Sequence, residues 1–326
     1  MRGRHNIVVQ NARLQYKLSV ERNITILRGE SATGKTTLIN MIADYQRAGD
    51  KSGVTVSSDK PLAVLTSLSW QVVFSALRDT IVFIDEGEEF VRSEAFAQAV
   101  KQSDNYYVIA TRASLFNLPY SIREIFGIKN TTRKRYEGTA RLYAEFSLLS
   151  GDVPKTLGKP DLVITEDKNA GFDFFEAYFA RYGIRCIPAG GKSNIFDRLK
   201  TETYTTALVI ADGAAFGPEL ERLQLLNKAK SAVMLYLPES FEWLLLKADV
   251  LNDGMVRQIL TAPAEHIESA EYFSWERFFT ALLTERGQGS CLQYNKKSLN
   301  PNYLHDEVVA AVDRIMPKID TNLKEN

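Results

Sequence analysis

Within "LRGESATGKTTL" (27–38), Gly29, Gly34, Lys35 and Thr36 stand in the order Gly-x-x-x-x-Gly-Lys-Thr. The spacing suits a chemical task. Glycines let the backbone curl so that successive N–H groups point inward at an anion. The stretch from Gly29 through Glu30, Ser31, Ala32, Thr33 and Gly34 to Lys35, Thr36 and Thr37 would supply those amides. Lys35 is placed to reach β- and γ-phosphate oxygens, and the Thr36 hydroxyl is a ligand for Mg²⁺. A helix beginning at the loop's end turns its positive pole on the same anion. This is a complete Walker A pattern, and the chemistry it implies is the binding of ATP with Mg²⁺.

A second component follows about fifty residues later. In "TIVFIDE" (80–86), four apolar residues deliver Asp85 to the end of a buried strand, where its carboxylate can hold Mg²⁺ through water. Glu86 is next along and is placed to orient or deprotonate an attacking water. The catalytic pair would then be Lys35 and Glu86. Thr111 or Arg112, ending the following strand "NYYVIATR" (105–112), is a candidate sensor of the γ-phosphate. The plainer alternatives are an acidic surface turn at "DEGEEF" and a solvated arginine at a strand end.

The second half carries acids at the ends of short apolar runs. Glu166 follows "LVIT" (162–165), Asp212 ends "ALVIAD" (207–212), and Glu239 and Glu242 follow "SAVMLYLP" (231–238). In a parallel sheet, ligands bind at the carboxyl ends of the strands. Neighbouring strands lie ~4.8 Å apart, so Glu166 and Asp212, with Glu239 as a third, could share Mg²⁺ or Mn²⁺ through oxygen ligands at ~2.1 Å. The alternative is an ordinary doubly wound domain whose strand ends happen to be acidic.

These residues need elements to hold them. The opening runs Ile7-Val8-Val9, then Leu14, Tyr16, Leu18 and Val20 with every second residue apolar, the period of half-buried antiparallel strands. "NITIL" (23–27) reads as a third strand running into the glycine loop. Leu38, Ile39, Ile42 and Tyr45 then recur at helical spacing. Strand, loop, helix is the setting a phosphate loop requires. Gly/Pro content in "SGDVPKTLGKP" (150–160) marks a linker. Beyond it, four apolar runs separated by helical segments predict a parallel sheet covered by helices. The expected fold is therefore α/β: a P-loop NTPase core with antiparallel opening strands over 1–150, a second parallel-sheet domain over 151–250, and a mainly helical region over 251–326.

The antiparallel opening, the Walker A motif and the apolar run ending in Asp85-Glu86 together resemble the ATPase core of the ABC/SMC-like P-loop class. The chain departs from that class in lacking an "LSGGQ"-type signature and room for a helical subdomain between Tyr45 and Thr80. Glu166, the glycine turn in "IPAGGKSN" (187–194) and "ADGAAFG" (211–217) resemble a Toprim domain, the metal-binding module of primases, topoisomerases and the overcoming-lysogenization-defect nucleases. Two departures stand out: Glu-Gly is Glu166-Asp167 here, and Asp-x-Asp is reduced to Asp212-Gly213-Ala214. An ATPase ahead of a Toprim-like domain is the arrangement of the overcoming-lysogenization-defect family, in a shortened form. The resemblance implies nucleotide-controlled action on nucleic acid, with metal-dependent nuclease chemistry, in conflict with phages or mobile elements. Loss of the second aspartate keeps another reading open, a nucleotide-gated scaffold that binds a protein partner or a second copy of itself without cleavage.

Composition bounds these readings. The 326 residues are 45% hydrophobic and 25% charged, with forty basic residues against forty acidic. That is ordinary globular material with no global positive field for nucleic acid. Local basic stretches exist in "KNTTRKRYEGTAR" (129–141) and "YNKKSLNPNY" (294–303), each with tyrosine nearby. Phosphate neutralisation is one reading of them, and solvated loops are the other. Cys186 and Cys291 have no metal-ligand spacing, and "IRCIPA" reads as a buried thiol. The amino terminus has charge without an apolar h-region, and no apolar run approaches ~18 residues. The expectation is a cytoplasmic protein with no membrane partner.

Overall fold

The structure is a computed structural model that describes residues 1–29, 33–68, 70–131, 142–148, 156–230 and 233–319. Among these residues the chain is α/β with mixed and parallel sheets. It divides into two compact units, Met1–Gly151 with Ala262–Ser274, and Asp152–Thr261 with Trp275–Asn326. The region from 251 onward, expected as one mainly helical part, is thus shared between the two units.

In the first unit β1 (His5–Gln10), β2 (Leu14–Val20) and β3 (Ile24–Leu27) lead to α1 (Lys35–Ala48). β4 (Thr55–Ser57), β5 (Leu62–Leu65) and a short α2 (Trp70–Phe74) follow, then β6 (Ile81–Ile84), α3 (Glu94–Lys101) and β7 (Tyr106–Ala110). β8 (Ile125–Thr131) and β9 (Leu142–Leu148) complete a nine-stranded sheet in the order β4-β1-β2-β9-β8-β3-β7-β6-β5.

Pairing follows patterning. β1 and β2 are antiparallel with Ile7 opposite Leu18 and Val9 opposite Tyr16, so the buried side chains of both strands share one face. β8, β3, β7, β6 and β5 run parallel, and every residue of β3, β6 and β7 is buried. Continuous apolar runs such as "IVFI" belong in strands covered on both faces. α1 contributes Leu38, Ile39, Met41 and Ile42 to one core with Ile7, Val9, Leu27, Phe83 and Val108. On another side, Trp70 stacks on Phe90 at 5.2 Å, and Phe96 meets Phe74, Phe90 and Tyr107 edge-on.

The second unit opens with a short β10 (Thr156–Leu157), then β11 (Leu162–Thr165), α4 (Ala170–Ala180), β12 (Arg185–Pro188), α5 (Lys192–Thr201), β13 (Ala207–Ile210) and α6 (Gly217–Lys230). β14 (Val233–Tyr236), α7 (Phe241–Lys247), α8 (Gly254–Thr261), α9 (Trp275–Gly287), α10 (Asp306–Asp313) and β15 (Lys318–Ile319) follow. The four apolar runs read from the sequence form one parallel sheet in the order β12-β11-β13-β14. Between β11 and β13 the winding reverses, which opens a crevice at their carboxyl ends. α4 buries Phe174, Phe175, Tyr178 and Phe179, and Phe241 of α7 packs on the first two. These aromatics build core, as their helical spacing predicts.

Two features of the sequence reading resolve differently. Tyr294 and Tyr303, noted beside lysines as candidates for nucleic-acid contact, are buried and pack edge-to-face at 6.0 Å, so their rings hold the fold together. The basic stretch over 129–141 falls mainly outside the described residues.

The cysteines are both free, Cys186 half-buried in β12 and Cys291 exposed. Burial, reinforced by the Glu176 and Asp167 carboxylates, pushes the Cys186 thiol up to about 12. A thiol reacts as thiolate. At pH 8 a group titrating near 12 is ionised in roughly one molecule in ten thousand. A thiol reagent in slight excess at pH 8 is therefore expected to label Cys291 quickly and Cys186 only after unfolding. Mass spectrometry of the labelled peptides checks it, and equal labelling of the two in the folded chain would contradict the burial.

Candidate functional sites

In the first unit the candidate residues leave the carboxyl ends of three neighbouring parallel strands. β3 runs into Gly29, β7 into Thr111 and Arg112, and β6 into Asp85 and Glu86, with β7 paired between the other two. Gly34 sits at φ +93° before α1, a conformation that favours glycine. A Cβ there would also lie 2.8 Å from the Tyr16 hydroxyl, which donates to the Gly34 carbonyl at 3.1 Å. α1 has no side-chain cap on its first turn. Its leading N–H groups therefore retain the electropositive pole of a helix start.

Lys35 is buried, and its Nζ donates to the Gly29 carbonyl at 2.6 Å and to Thr33 Oγ1 at 3.3 Å. The same ammonium lies 3.9 Å from Glu86 Oε2. Thr36 Oγ1 donates to Asp85 Oδ1 at 3.2 Å, and that oxygen also accepts the Glu86 amide at 2.8 Å. Glu86 meets the Arg112 guanidinium at 2.6 Å. The strand ends thus bring Lys35, Thr36, Asp85, Glu86 and Arg112 together. Thr111 behaves differently, because its hydroxyl is committed to the Ala113 carbonyl and amide of its own turn, at 2.9 and 3.2 Å. Glu30, Ser31 and Ala32 lie outside the described residues. For Mg²⁺ the donor chemistry fits: the Thr36 hydroxyl and Asp85 carboxylate, in mutual contact, are hard oxygen ligands.

The second unit presents a cavity of about 240 Å³ at the switch point of its sheet. Glu166 leaves β11 and Asp212 leaves β13, the two strands that pair across the reversal. Their carboxylates lock the backbone around them. Glu166 Oε2 accepts the Asp212 amide at 3.0 Å, and Asp212 Oδ1 accepts the Phe241 amide at 3.2 Å, at the start of α7. Burial raises the carboxyls of Glu166 and Asp212, the Glu276 charge pushes both further, and Lys192 and Lys296 respectively oppose this.

Glu239 is not among the residues lining this cavity; it is buried elsewhere in the unit. Glu242, in the first turn of α7, lines it instead, together with Asp167 and Glu276. Glu242 accepts the Tyr294 hydroxyl at 2.8 Å, and its Oε1 lies 3.8 Å from Lys296 Nζ. Lys296 donates to Glu276 Oε1 at 2.6 Å. Burial opposes charge on Lys296, but Glu242 and Glu276 outweigh it and hold the ammonium above its ordinary range.

Gly213 explains part of the motif. Its amide donates to the Pro238 carbonyl at 2.6 Å, and a Cβ would lie 2.6 Å from the Leu237 carbonyl oxygen. Only glycine fits so close to another backbone. Ala214 follows, buried, with its amide on the Glu239 carbonyl at 3.1 Å. The position where a second aspartate would stand is therefore a packed methyl group.

A metal fits this second site poorly as arranged. The Glu166 and Asp212 carboxylates are engaged with amides and Glu242 with a phenol and an ammonium. Among the described residues no group of three or more His, Cys, Asp or Glu side chains is arranged to hold a metal ion. The sequence offers Glu239 as the third acid, with Glu242 beside it; Ser240 as helix cap, donated to by the Trp243 amide, is the signal that places Glu242 in the first turn. Glu276 and Lys296 reach the cavity only through tertiary folding.

Among the described residues no helix is long and apolar enough to cross a membrane. Comparison with protein-family models, curated proteins and solved structures gives no match to this chain.

Proposed function

We propose that the chain is a P-loop ATPase whose second unit is a Toprim-like domain acting on or sensing nucleic acid. The observation that carries the ATPase reading is the meeting of Lys35, Thr36, Asp85 and Glu86 at the ends of parallel strands, ahead of an uncapped helix start. Lys35 would leave the Gly29 carbonyl to bind phosphate oxygens, as the loop amides and the pole of α1 orient the same anion. Thr36 and Asp85 would hold Mg²⁺, which when bound neutralises charge on the transferred phosphoryl group. Glu86 would take or orient the proton of the attacking water, with Arg112 holding its carboxylate in place.

For the second unit the support is the acidic cavity at the sheet's switch point, the place where such sheets bind ligands. A second reading has its own support. The buried Ala214 and the carboxylates already engaged within the fold favour a nucleotide-gated scaffold that binds a protein partner or another copy and does not cut.

The test uses the purified full chain with ATP and Mg²⁺ or Mn²⁺, assayed on plasmid and RNA beside Glu166→Gln. Cleavage by the parent that disappears in the variant supports the nuclease reading. If nothing is cut with either metal while a slowly hydrolysed ATP analogue changes the oligomeric state, the scaffold reading stands in its place. If no ATP is turned over or bound, the central assignment falls.

A further inference from the structure

No side chain caps the start of α1. A Ser, Thr, Asp or Asn cap fixes a helix start by accepting one of its leading amides. Where those amides are to hold an anion, the start has to be fixed by other means. The Gly34 carbonyl offers one. It accepts the Leu38 amide at 3.0 Å, which opens the helix ladder, and the Tyr16 hydroxyl at 3.1 Å.

Tyr16 is a firm support for that carbonyl. Its backbone lies inside the sheet, opposite Val9 of β1 on one side and Ala144 of β9 on the other. Its ring is buried in the core that also takes Leu38, Met41 and Ile42 of α1. Burial raises the phenol above its ordinary range, with the Thr37 side chain opposing, so the hydroxyl keeps its proton and donates. A Cβ on Gly34 would lie 2.8 Å from this oxygen and 3.6 Å from the nearest ring carbon. The close approach to the loop is thus made by the hydroxyl alone. Phenylalanine would bury the same ring with no polar atom to satisfy.

We propose that Tyr16 is a positioning residue of the nucleotide site: its hydroxyl fixes the Gly34 carbonyl, and through it the first turn of α1, without taking up a leading amide of the helix. This rests on reading the glycine loop as an ATP site. The phenol is committed to a carbonyl and stands outside the set formed by Lys35, Thr36, Asp85 and Glu86. It acts on binding, because a loop already held in its bound form loses less freedom when the phosphates arrive. The chemical step does not use it.

Calorimetric ATP titration and steady-state turnover of the full chain compare the parent with Tyr16→Phe, Gly34→Ala and the double variant, with Lys35→Met marking the site itself. Tyr16→Phe is expected to melt close to the parent and to raise Kd and KM for ATP about three- to tenfold, the range of one neutral hydrogen bond, with kcat unchanged within about twofold. Gly34→Ala should cost less affinity in the Tyr16→Phe background than in the parent, because the 2.8 Å contact is gone while the strain at φ +93° is common to both. A Tyr16→Phe protein that melts lower but binds ATP as the parent does makes the phenol a stability contact and overturns the proposal, and so does a fall in kcat at unchanged KM. If Lys35→Met loses ATP and Tyr16→Phe does not, the site stands and the role of Tyr16 falls. If the parent binds no ATP, or Lys35→Met binds it equally well, the reading of the loop fails and the inference with it.

Discussion

Replacing Lys35 with methionine is expected to weaken ATP binding about a hundredfold and to lower turnover further. The argument starts from where the ammonium is. It is buried at the start of α1, held by the Gly29 carbonyl and Thr33, with Glu86 3.9 Å away. Each of those partners is replaceable by a phosphate oxygen, which carries more charge. Hydrogen bonds to charged groups contribute roughly 1.5–3 kcal/mol each, and 1.4 kcal/mol is a factor of ten, so one or two such bonds give the stated loss. Methionine keeps the length and apolar stem of lysine, which limits damage to the core built on Leu38 and Ile42. Titration with a fluorescent ATP analogue, alongside circular dichroism, measures the effect. Parent-like affinity in a folded variant would leave the glycine loop as a mere turn.

Glu86→Gln should separate binding from chemistry. The glutamate is partly exposed and lies between Lys35 and the Arg112 guanidinium. Its amide donates to Asp85, so the backbone that aims the side chain is fixed independently of the carboxylate. Glutamine preserves shape and removes basicity. General-base catalysis contributes roughly 10²–10⁴-fold, and that is the expected fall in turnover, with ATP affinity nearly unchanged. Single-turnover measurements read the two separately. An unaffected rate would make "DEGEEF" an acidic surface turn. The exposed pair with Arg112 should matter little for stability, since surface ion pairs contribute about 0–1 kcal/mol.

How far the sequence reaches depends on what each residue answers to. The apolar runs "IVFI", "YYVIA", "LVIT" and "ALVI" are buried on both faces, so their composition alone marks them as central parallel strands. β1 and β2 were equally legible, because one face is covered and the side chains alternate. β4, β5 and β8 carry no such mark: β4 and β5 are short edge strands and β8, "IFGIKNT", mixes apolar with polar residues, so pairing rather than pattern makes them strands. Asp85, Glu86, Glu166 and Asp212 can be named from the sequence because a strand end is a place a sequence can point to. Thr111 ends a strand too, but its hydroxyl answers to a turn two residues away, which a strand end does not announce. Glu242 stands out from Glu239 only once Ser240 is recognised as a helix cap. No local pattern announces Glu276 and Lys296, which lie over sixty residues beyond Asp212 in sequence and meet the acids only across the folded unit.

The chain leaves its amino-terminal unit at 151, comes back to it for 262–274, and leaves again into the helix that bears Glu276. The returning stretch is stitched in by the Ser269 amide on the Met1 carbonyl, the Gly3 amide on the Ala264 carbonyl, and Asn23 Nδ2 on the Ser269 carbonyl. A gene fragment ending at the linker would therefore encode an incomplete piece and leave that docking strip bare. A protease cutting the intact protein there would leave two fragments held together only by the non-covalent docking of 262–274 on the first. Swapping either half with that of another protein would need three splice junctions in place of one.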